Sequence, residues 1–258
     1  MNAVTGFITE MLTVSGKYAL FLLGTIGWTF RRPFRWKLLV EHMEKIGVNS
    51  TLIIALSALT VGMIFSLQIT YMMRIFRGET FVGAMVAMTM GRELAPVMTA
   101  LMLIAKNGSS MAAELGTMKV TEQIAAMETM AVNPIHYLVV PRMLASIIVY
   151  PVLTGLANIL GIAGSYFVAV VLEGVDSARY FDRLFFWIDP KDIYSGLIKA
   201  AVFAIIVTTI SCFYGLTTRN GAKGVGISTT KAVVSSSVAI LIADYVLADI
   251  LITMLYKN

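Results

Sequence analysis

Charged residues are scarce in this sequence of 258 residues. Asp, Glu, Lys and Arg make up 14% of it, against about a quarter in soluble domains, while 58% of it is hydrophobic. A soluble fold of this length has too little interior to hide that much apolar surface, so lipid must cover part of it. Long runs without any charge exclude a transmembrane β-barrel, whose segments alternate apolar and polar residues. The sequence therefore predicts an all-α polytopic membrane protein.

Cysteine and histidine are also rare. The single cysteine, Cys212, lies in an apolar run and excludes an intrachain disulfide. His42 and His136 have no partner at the spacing of metal ligands, so no metal site is expected. The glycine-rich stretch at 220–229 lacks the G-x-x-x-x-G-K-[ST] pattern of a phosphate-binding loop and is interpreted as a flexible turn. We therefore expect no catalytic residue, no cofactor bound by this chain and no nucleic-acid partner.

Five apolar runs are long enough to cross a membrane, which takes about 20 residues. They predict spans at 46–73, 80–105, 143–172, 193–218 and 232–256, which together form one five-helix domain over 46–258. The charges inside these runs are Arg92, Glu93, Lys199, Asp244 and Asp249.

The segment 1–45 precedes the first span. Its apolar stretch at 18–30 is short and is followed by basic residues, the reverse of the order in a secretory signal peptide. Trp28, Trp36 and the basic sequence at 31–37 favour a helix that lies in the membrane interface. A sixth span is the alternative.

Lys and Arg are distributed unequally between the two sides. The segments 1–45, 106–142 and 219–231 contain 12 of them, and the connections on the other side contain 6. Because cytoplasmic segments are enriched in Lys and Arg, the N-terminus is predicted to be cytoplasmic and the C-terminus outside. The outer connection at 173–192, with the sequence FFW, is interpreted as a short element at the membrane surface.

A polar stretch at 113–131 separates the second and third predicted spans. Apolar residues at 120, 124, 127 and 131 form one stripe at helical spacing, and Pro134 disfavours helical geometry beyond it. The pattern predicts a short amphipathic helix on the cytoplasmic side. Periodicity alone favours an ordinary surface helix.

Arg92 and Glu93 lie well inside the second predicted span, where an isolated charge costs on the order of 3 kcal/mol. Neighbouring residues on a helix point about 100° apart, so these two cannot pair with each other. One interpretation is a buried polar network that fixes helix packing. The other is a cavity for an amphiphile, in which Arg92 binds a phosphate headgroup and Lys199, near the outer start of the fourth span, is a second cation. Asp244 is interpreted as a packing or dimer-interface residue.

The sequence GRELAPVMTALMLIAKNGSSMAAELGTMKVTEQIAAMETMAVNPIHYLVVPR at 91–142 resembles the signature region of the MlaE-type permeases. These are membrane subunits of ABC transporters that work with MCE-domain lipid-binding proteins. The resemblance covers about 45–256 and includes GVGIS at 224–228. One departure is AKNG at 105–108, where the family usually has Gly-Arg-x-Gly, so that Lys106 keeps the charge but not the planar guanidinium.

The resemblance implies a function and a set of partners. The chain would be the non-catalytic permease of an ABC transporter in the bacterial inner membrane. That transporter would move phospholipid between this membrane and a periplasmic MCE-domain hexamer and maintain outer-membrane lipid asymmetry. The permease would be a homodimer that works with cytoplasmic ABC ATPase subunits, which bind ATP and Mg, and with a STAS-domain accessory subunit.

The resemblance also implies residue roles. The lipid-binding residues would be Arg92, Glu93 and Lys199. The stretch 113–131 would be the coupling helix, and its contacts with the ATPase would be Glu114, Gly116, Lys119, Glu122 and Gln123.

Two other hypotheses remain from the residues themselves. In the first, the chain is a proton-coupled secondary carrier for an amphiphilic substrate, with Glu93 and Asp244 as relay groups. In the second, it is a membrane anchor without transport, which would leave Arg92 and Glu93 without a purpose.

Overall fold

The computed structural model describes the backbone of residues 2–29, 31 and 35–256, and the side chains of 12–29, 31 and 35–255. Arg32 of the predicted basic sequence and Lys257 lie outside the described residues. Every regular element in the described ranges is helical, which confirms the all-α prediction.

Ten α-helices follow one another along the described chain. They are α1 (Asn2–Thr29), α2 (Trp36–Arg74), α3 (Val82–Thr89), α4 (Ala95–Leu103), α5 (Ser109–Val120), α6 (Gln123–Thr129), α7 (Val140–Tyr166), α8 (Ser177–Trp187), α9 (Pro190–Leu216) and α10 (Gly221–Tyr256). Short 3-10 and π segments join some of them into longer rods.

Five of these rods are long and apolar enough to cross a membrane, which confirms the predicted number of spans. They are Trp36–Arg74, Glu79–Val120, Ile135–Leu172, Pro190–Leu216 and Gly221–Leu255. The helix that contains the first span begins at Trp36, ten residues before the predicted start of that span at 46.

The glycine-rich stretch at 220–229 is helical from Gly221 onward, so its interpretation as a flexible turn is wrong. Gly224 lies where an added Cβ would come within 1.6 Å of the Arg219 carbonyl oxygen, and this lets α10 begin directly after a tight turn. Val225 then packs beside Gly116 of α5. This tertiary packing outweighs the low helix propensity of glycine.

Helix α9 lies at the centre of the molecule, in contact with α5, α7 and α10. In its most apolar stretch 67% of the residues are buried, against 6% in α10. Large apolar side chains of α10, such as Tyr245 at 78% exposure, therefore face lipid or another chain.

Glycines bring α2 and α7 into backbone contact. An added Cβ at Gly62 would lie 2.0 Å from the Gly161 carbonyl oxygen, and one at Gly164 would lie 2.4 Å from the carbonyl oxygen of Leu59. Small residues at helix crossings are the usual means of close packing within a membrane. The closely packed α2 and α7 also contact α3 and α4 of the second span.

Helix α1 packs against the ends of two spans. The Tyr18 hydroxyl lies 2.8 Å from the Thr209 hydroxyl of α9, and the Phe21 ring lies 5.7 Å from the Phe213 ring. The ring centroid of Trp28 lies 5.6 Å from that of His136, which is at the start of the third span. These are the ends predicted to be cytoplasmic. The position of α1 in the membrane interface stays a prediction.

Candidate functional site

Two π-helical segments, Met90–Leu94 and Ile104–Gly108, interrupt the second span. The first contains Arg92 and Glu93 and is followed closely by Pro96. Proline has no N–H to donate to the carbonyl four residues earlier, so the sequence RELAP cannot continue a regular α-helix. Because π segments often mark functional sites in helices, the charged pair stands at a structurally distinct point of this span.

Arg92 forms an ion pair with Asp192, near the start of α9. Its Nε donates to Asp192 Oδ1 at 2.7 Å; the Asp192 side chain is fully buried and that of Arg92 is 34% exposed. The other carboxylate oxygen of Asp192 accepts a hydrogen bond from the Asp189 backbone N–H at 3.1 Å. Asp192 thus caps the helix and holds Arg92 with the same carboxylate.

Lys199 lies two turns further along α9 and joins three elements. Its ammonium donates to Glu93 of the second span and, at 2.9 Å, to Asp244 of α10. Only 2% of the Lys199 side chain is exposed, against 40% for Glu93 and 22% for Asp244. The predicted packing role of Asp244 therefore has a specific partner, since it ties α10 to α9.

A glycine contact brings these charges together. Gly196 lies between Asp192 and Lys199 on α9, and a Cβ added there would come within 2.0 Å of the Gly91 carbonyl oxygen. The backbone of the π segment can therefore touch α9. This close approach places Arg92 and Glu93 within reach of their partners.

The five charges of this cluster nearly balance. Two cations, Arg92 and Lys199, face three carboxylates, those of Glu93, Asp192 and Asp244. Such pairing offsets the cost of placing charges within a membrane span. The cluster is thus a packing network, and its exposed part can also meet a ligand.

The predicted ligand-binding residues differ in how accessible they are. Arg92 and Glu93 are partly exposed, whereas Lys199 is covered and lies about 14 Å along α9 by helical rise, further from its start than expected. A ligand would reach the Lys199 ammonium only after displacing Glu93 or Asp244. The lipid-binding roles of all three stay predictions.

The predicted helix at 113–131 is divided in the structure, so its prediction as one helix is wrong. Helix α5 continues the second span to Val120, and α6 begins at Gln123 after a turn. Glu122 has φ 59°, a left-handed conformation that few residues other than glycine adopt readily. The turn changes the chain direction and breaks the apolar stripe.

The predicted coupling residues occupy different environments. Glu122 and Gln123 are exposed at the corner between α5 and α6, and Lys119 is partly buried. Gly116 is buried, and an added Cβ would lie 2.9 Å from the Thr218 hydroxyl oxygen. Glu122 and Gln123 are therefore best placed to meet another chain, whereas Gly116 serves packing.

Glu114 holds two other helices. Its carboxylate accepts from Arg142 of α7 at 2.9 Å and from Lys45 of α2 at 3.0 Å. The Arg142 side chain is 4% exposed and also donates to the Leu138 carbonyl at 2.6 Å. Glu114 thus connects the base of α5 to α2 and α7, and its contact with an ATPase stays a prediction.

Sequence reasoning missed Asp192, Gly196 and Arg142. The signal for Asp192 was present, because D-P-K-D at 189–192 has the spacing of a capping box and Asp192 precedes Lys199 by seven residues on the same helix face. The pairing of Arg142 with Glu114 had no local signal, since the two are 28 positions apart.

Comparison with known proteins assigns the chain to a family. The family described as Permease MlaE matches residues 39–250. The chain belongs to the MlaE permease family. That range includes the cluster around Lys199 and the corner at Glu122.

Three relatives of this MlaE-family chain illustrate how far the similarity extends. It is 37% identical over 235 residues to a probable ABC transporter permease protein of Rickettsia bellii, covering 91% of each chain. It is 36% identical over 254 residues to the intermembrane phospholipid transport system permease protein MlaE of Haemophilus influenzae, covering 97% of each. It is 38% identical over 214 residues to the chloroplastic protein TRIGALACTOSYLDIACYLGLYCEROL 1 of Arabidopsis thaliana, covering 83% of this chain and 61% of that one. These matches support the role of an ABC transporter permease, a multi-pass membrane protein.

Proposed function

We propose that this chain is the permease through which an ABC transporter moves phospholipid between the bacterial inner membrane and a periplasmic MCE-domain carrier, a hexamer. The transport maintains the lipid asymmetry of the outer membrane. The chain itself catalyses no reaction, and ATP and Mg are bound by partner ATPase subunits in the cytoplasm.

The observation that carries this proposal is the partial exposure of Arg92 and Glu93 within a membrane span. Charged side chains at this depth usually face a cavity or a partner rather than lipid tails. The Arg92 guanidinium matches a phosphate in shape and charge, and the surrounding helices supply apolar walls for acyl chains. A phospholipid combines these two features.

A homodimer completes the site in this proposal. Asp244 and the exposed apolar side chains of α10 lie on the same poorly buried helix, beside Glu93. A second copy would cover that surface and close a cavity around the charged cluster. The ATPase docks at the corner formed by Glu122 and Gln123, and a STAS-domain subunit accompanies it.

Transfer of labelled phospholipid tests the function directly. The permease is reconstituted with its ATPase and MCE partner, and transfer between vesicles and the carrier is followed with ATP, without ATP and with a protonophore. We expect transfer to require ATP and to be insensitive to the protonophore. Transfer that stops with the protonophore and proceeds without an ATPase would instead support the proton-coupled carrier with Glu93 and Asp244 as relay groups.

Cysteine labelling tests the proposed topology, in which the N-terminus and the α5–α6 corner are cytoplasmic. Two exposed positions lie at opposite ends of the spans. They are Ala222, in the first turn of α10, and Ser177, at the start of α8. Each is replaced by cysteine in a Cys212→Ala background. An impermeant reagent added from outside should label position 177 only, and labelling at 222 would reverse the topology.

A further inference from the structure

Helix α8 is held firmly against the second and third spans. Its Tyr180 is fully buried, and the Tyr180 hydroxyl donates to Ser165 Oγ at 3.1 Å. Gly83 of α3 makes room for the ring, since an added Cβ there would lie 2.6 Å from it. Burial raises the pKa of the Tyr180 phenol, so it remains a neutral donor. The outward faces of α8 are therefore presented in a fixed orientation.

One part of that outward surface is aromatic. Phe185 is 71% exposed, Phe186 77% and Trp187 49%. Phe181 and Phe185 stack with ring centroids 6.1 Å apart, and Tyr166 of α7 extends the row, 5.3 Å from Phe181. This much aromatic surface is unfavourable in water, and aromatic residues are enriched where membrane meets water.

Beside Phe186, the surface of α8 is basic and forms a pocket. A cavity of about 390 Å³ is lined by Thr80, Arg179, Asp182, Arg183 and Phe186. Arg179 and Arg183 are one helical turn apart, and the Arg183 guanidinium lies 4.9 Å above the Phe81 ring. Two guanidinium groups and one carboxylate give the pocket a formal charge of +1. It therefore suits an anion with several oxygens, such as a phosphate.

Chain connectivity keeps α8 at the membrane surface. Four residues separate Leu172, the end of the third span, from Ser177, and two separate Trp187 from Pro190 at the start of α9. At no more than about 3.6 Å per step, the five steps from Leu172 to Ser177 reach roughly 18 Å and the three from Trp187 to Pro190 roughly 11 Å. Helix α8 cannot move far from the headgroup layer.

We propose that α8 is an interfacial helix whose aromatic side chains enter the surrounding lipid leaflet and whose Arg179–Arg183 pocket binds the phosphate of an anionic phospholipid in that leaflet. This site is separate from the Arg92 cluster and does not depend on which substrate is transported. Since Asp192 lies five residues beyond α8, a lipid held there fixes the depth of the start of α9.

Tryptophan quenching by brominated lipid tests the proposal with the full-length chain in vesicles. The vesicles contain equal fractions of brominated phosphatidylcholine or brominated phosphatidylglycerol. The difference between the unmodified chain and its Trp187→Phe variant isolates the signal of Trp187. We expect both lipids to quench Trp187, with the phosphatidylglycerol quenching it at least about twofold more, since one arginine near an anionic surface corresponds to roughly fivefold enrichment.

Two single-charge variants locate the binding group. Arg183→Gln should make the two brominated lipids quench equally, and 1 M salt should weaken the preference in the unmodified chain. Lys191→Gln is the matched control, because it removes one positive charge nearby while the Lys191 ammonium itself donates to the Leu255 carbonyl at 3.1 Å. It should leave the preference unchanged.

The opposite results would overturn the proposal. Absence of quenching by either lipid would place Trp187 and the aromatic surface of α8 outside the lipid. A protein partner would then be the ligand of that surface. A preference that survives Arg183→Gln, or that is lost equally in Lys191→Gln, would remove the pocket as the binding site.

Discussion

Gly196 of α9 and Gly91 of the second span are in backbone contact, so close that a Cβ at Gly196 would lie 2.0 Å from the Gly91 carbonyl oxygen. The contact is one-sided, because a Cβ at Gly91 would lie 3.7 Å from the nearest atoms of Asp192, an ordinary separation. The helix crossing therefore requires a glycine at 196 but has room for a larger residue at 91. Both positions adjoin the charged cluster.

Gly196→Ala should separate the second span from α9. The added methyl group must push the backbones apart, which costs about 1–3 kcal/mol and weakens the pairs made by Arg92 and Glu93. A lower melting temperature of the purified permease and lower lipid transfer are expected. Gly91→Ala is the matched control, and its melting temperature and lipid transfer should be close to those of the unmodified permease. Equal effects of the two variants would contradict the role given to Gly196.

Asp192→Asn should destabilise the protein more than Asp189→Asn. Both changes preserve an oxygen acceptor in the capping box, but only Asp192 neutralises Arg92. Removing that carboxylate should cost about 1–3 kcal/mol, because a partly buried guanidinium loses the carboxylate to which its Nε donates. Thermal unfolding of both variants measures the difference. Equal melting temperatures would mean that the ion pair contributes little.

The sequence predicted the spans and the charged pair but not the geometry between them. Long charge-free runs identify spans by length, and Arg92 and Glu93 are conspicuous because they interrupt such a run. Asp192 lay in an apparent loop, and its partner is 100 positions away, so no local pattern joined them. Pairing across this distance depends on how helices cross, which single-sequence periodicity does not contain.

In the predicted coupling region at 113–131, the sequence also failed to predict the local structure. The apolar stripe beginning at Val120 has correct helical spacing, yet the chain turns at Glu122. A positive φ at a glutamate has no signature in the sequence, unlike one at glycine. The extension of the second span to Val120 was also hidden, because Glu114 and Lys119 resemble loop residues until the ion pair of Glu114 is seen.

Glu114→Gln should be more harmful than Lys45→Gln. The first leaves the buried Arg142 without its carboxylate, at a cost of about 2 kcal/mol, whereas the second leaves that pair intact and removes a half-exposed lysine. Thermal unfolding and ATPase stimulation by lipid should both decline in Glu114→Gln. Normal stability with lost ATPase binding would instead favour direct docking by Glu114.

Glu122 offers a test that separates its side chain from its backbone. Glu122→Gly removes the charge but relieves a left-handed strain of about 1 kcal/mol, so the fold should be retained or stabilised. If the carboxylate docks on the ATPase, both Glu122→Gly and Glu122→Lys should weaken co-purification and uncouple hydrolysis. Glu128→Lys, at an exposed position of α6, is the control for surface charge. Normal coupling in both Glu122 variants would exclude the side chain from the contact.

Arg92 carries the central claim, that a phospholipid headgroup binds within the second span. Arg92→Ala alone decides nothing, because it also removes the guanidinium that pairs with the fully buried Asp192 carboxylate. Adding Asp192→Asn removes that charge, so the double variant separates stability from binding. Asp192→Asn alone should still retain lipid, and Arg92→Lys should retain part of it through charge.

Native mass spectrometry of the purified transporter, read beside its melting temperature, is the most direct measurement. The Arg92→Ala/Asp192→Asn variant should melt close to the unmodified protein and still bind its ATPase. It should retain roughly tenfold less phospholipid, as expected from loss of a charge-assisted contact of about 1.5 kcal/mol. A stable double variant that carries phospholipid at the unmodified level would contradict the assignment of Arg92 to the headgroup.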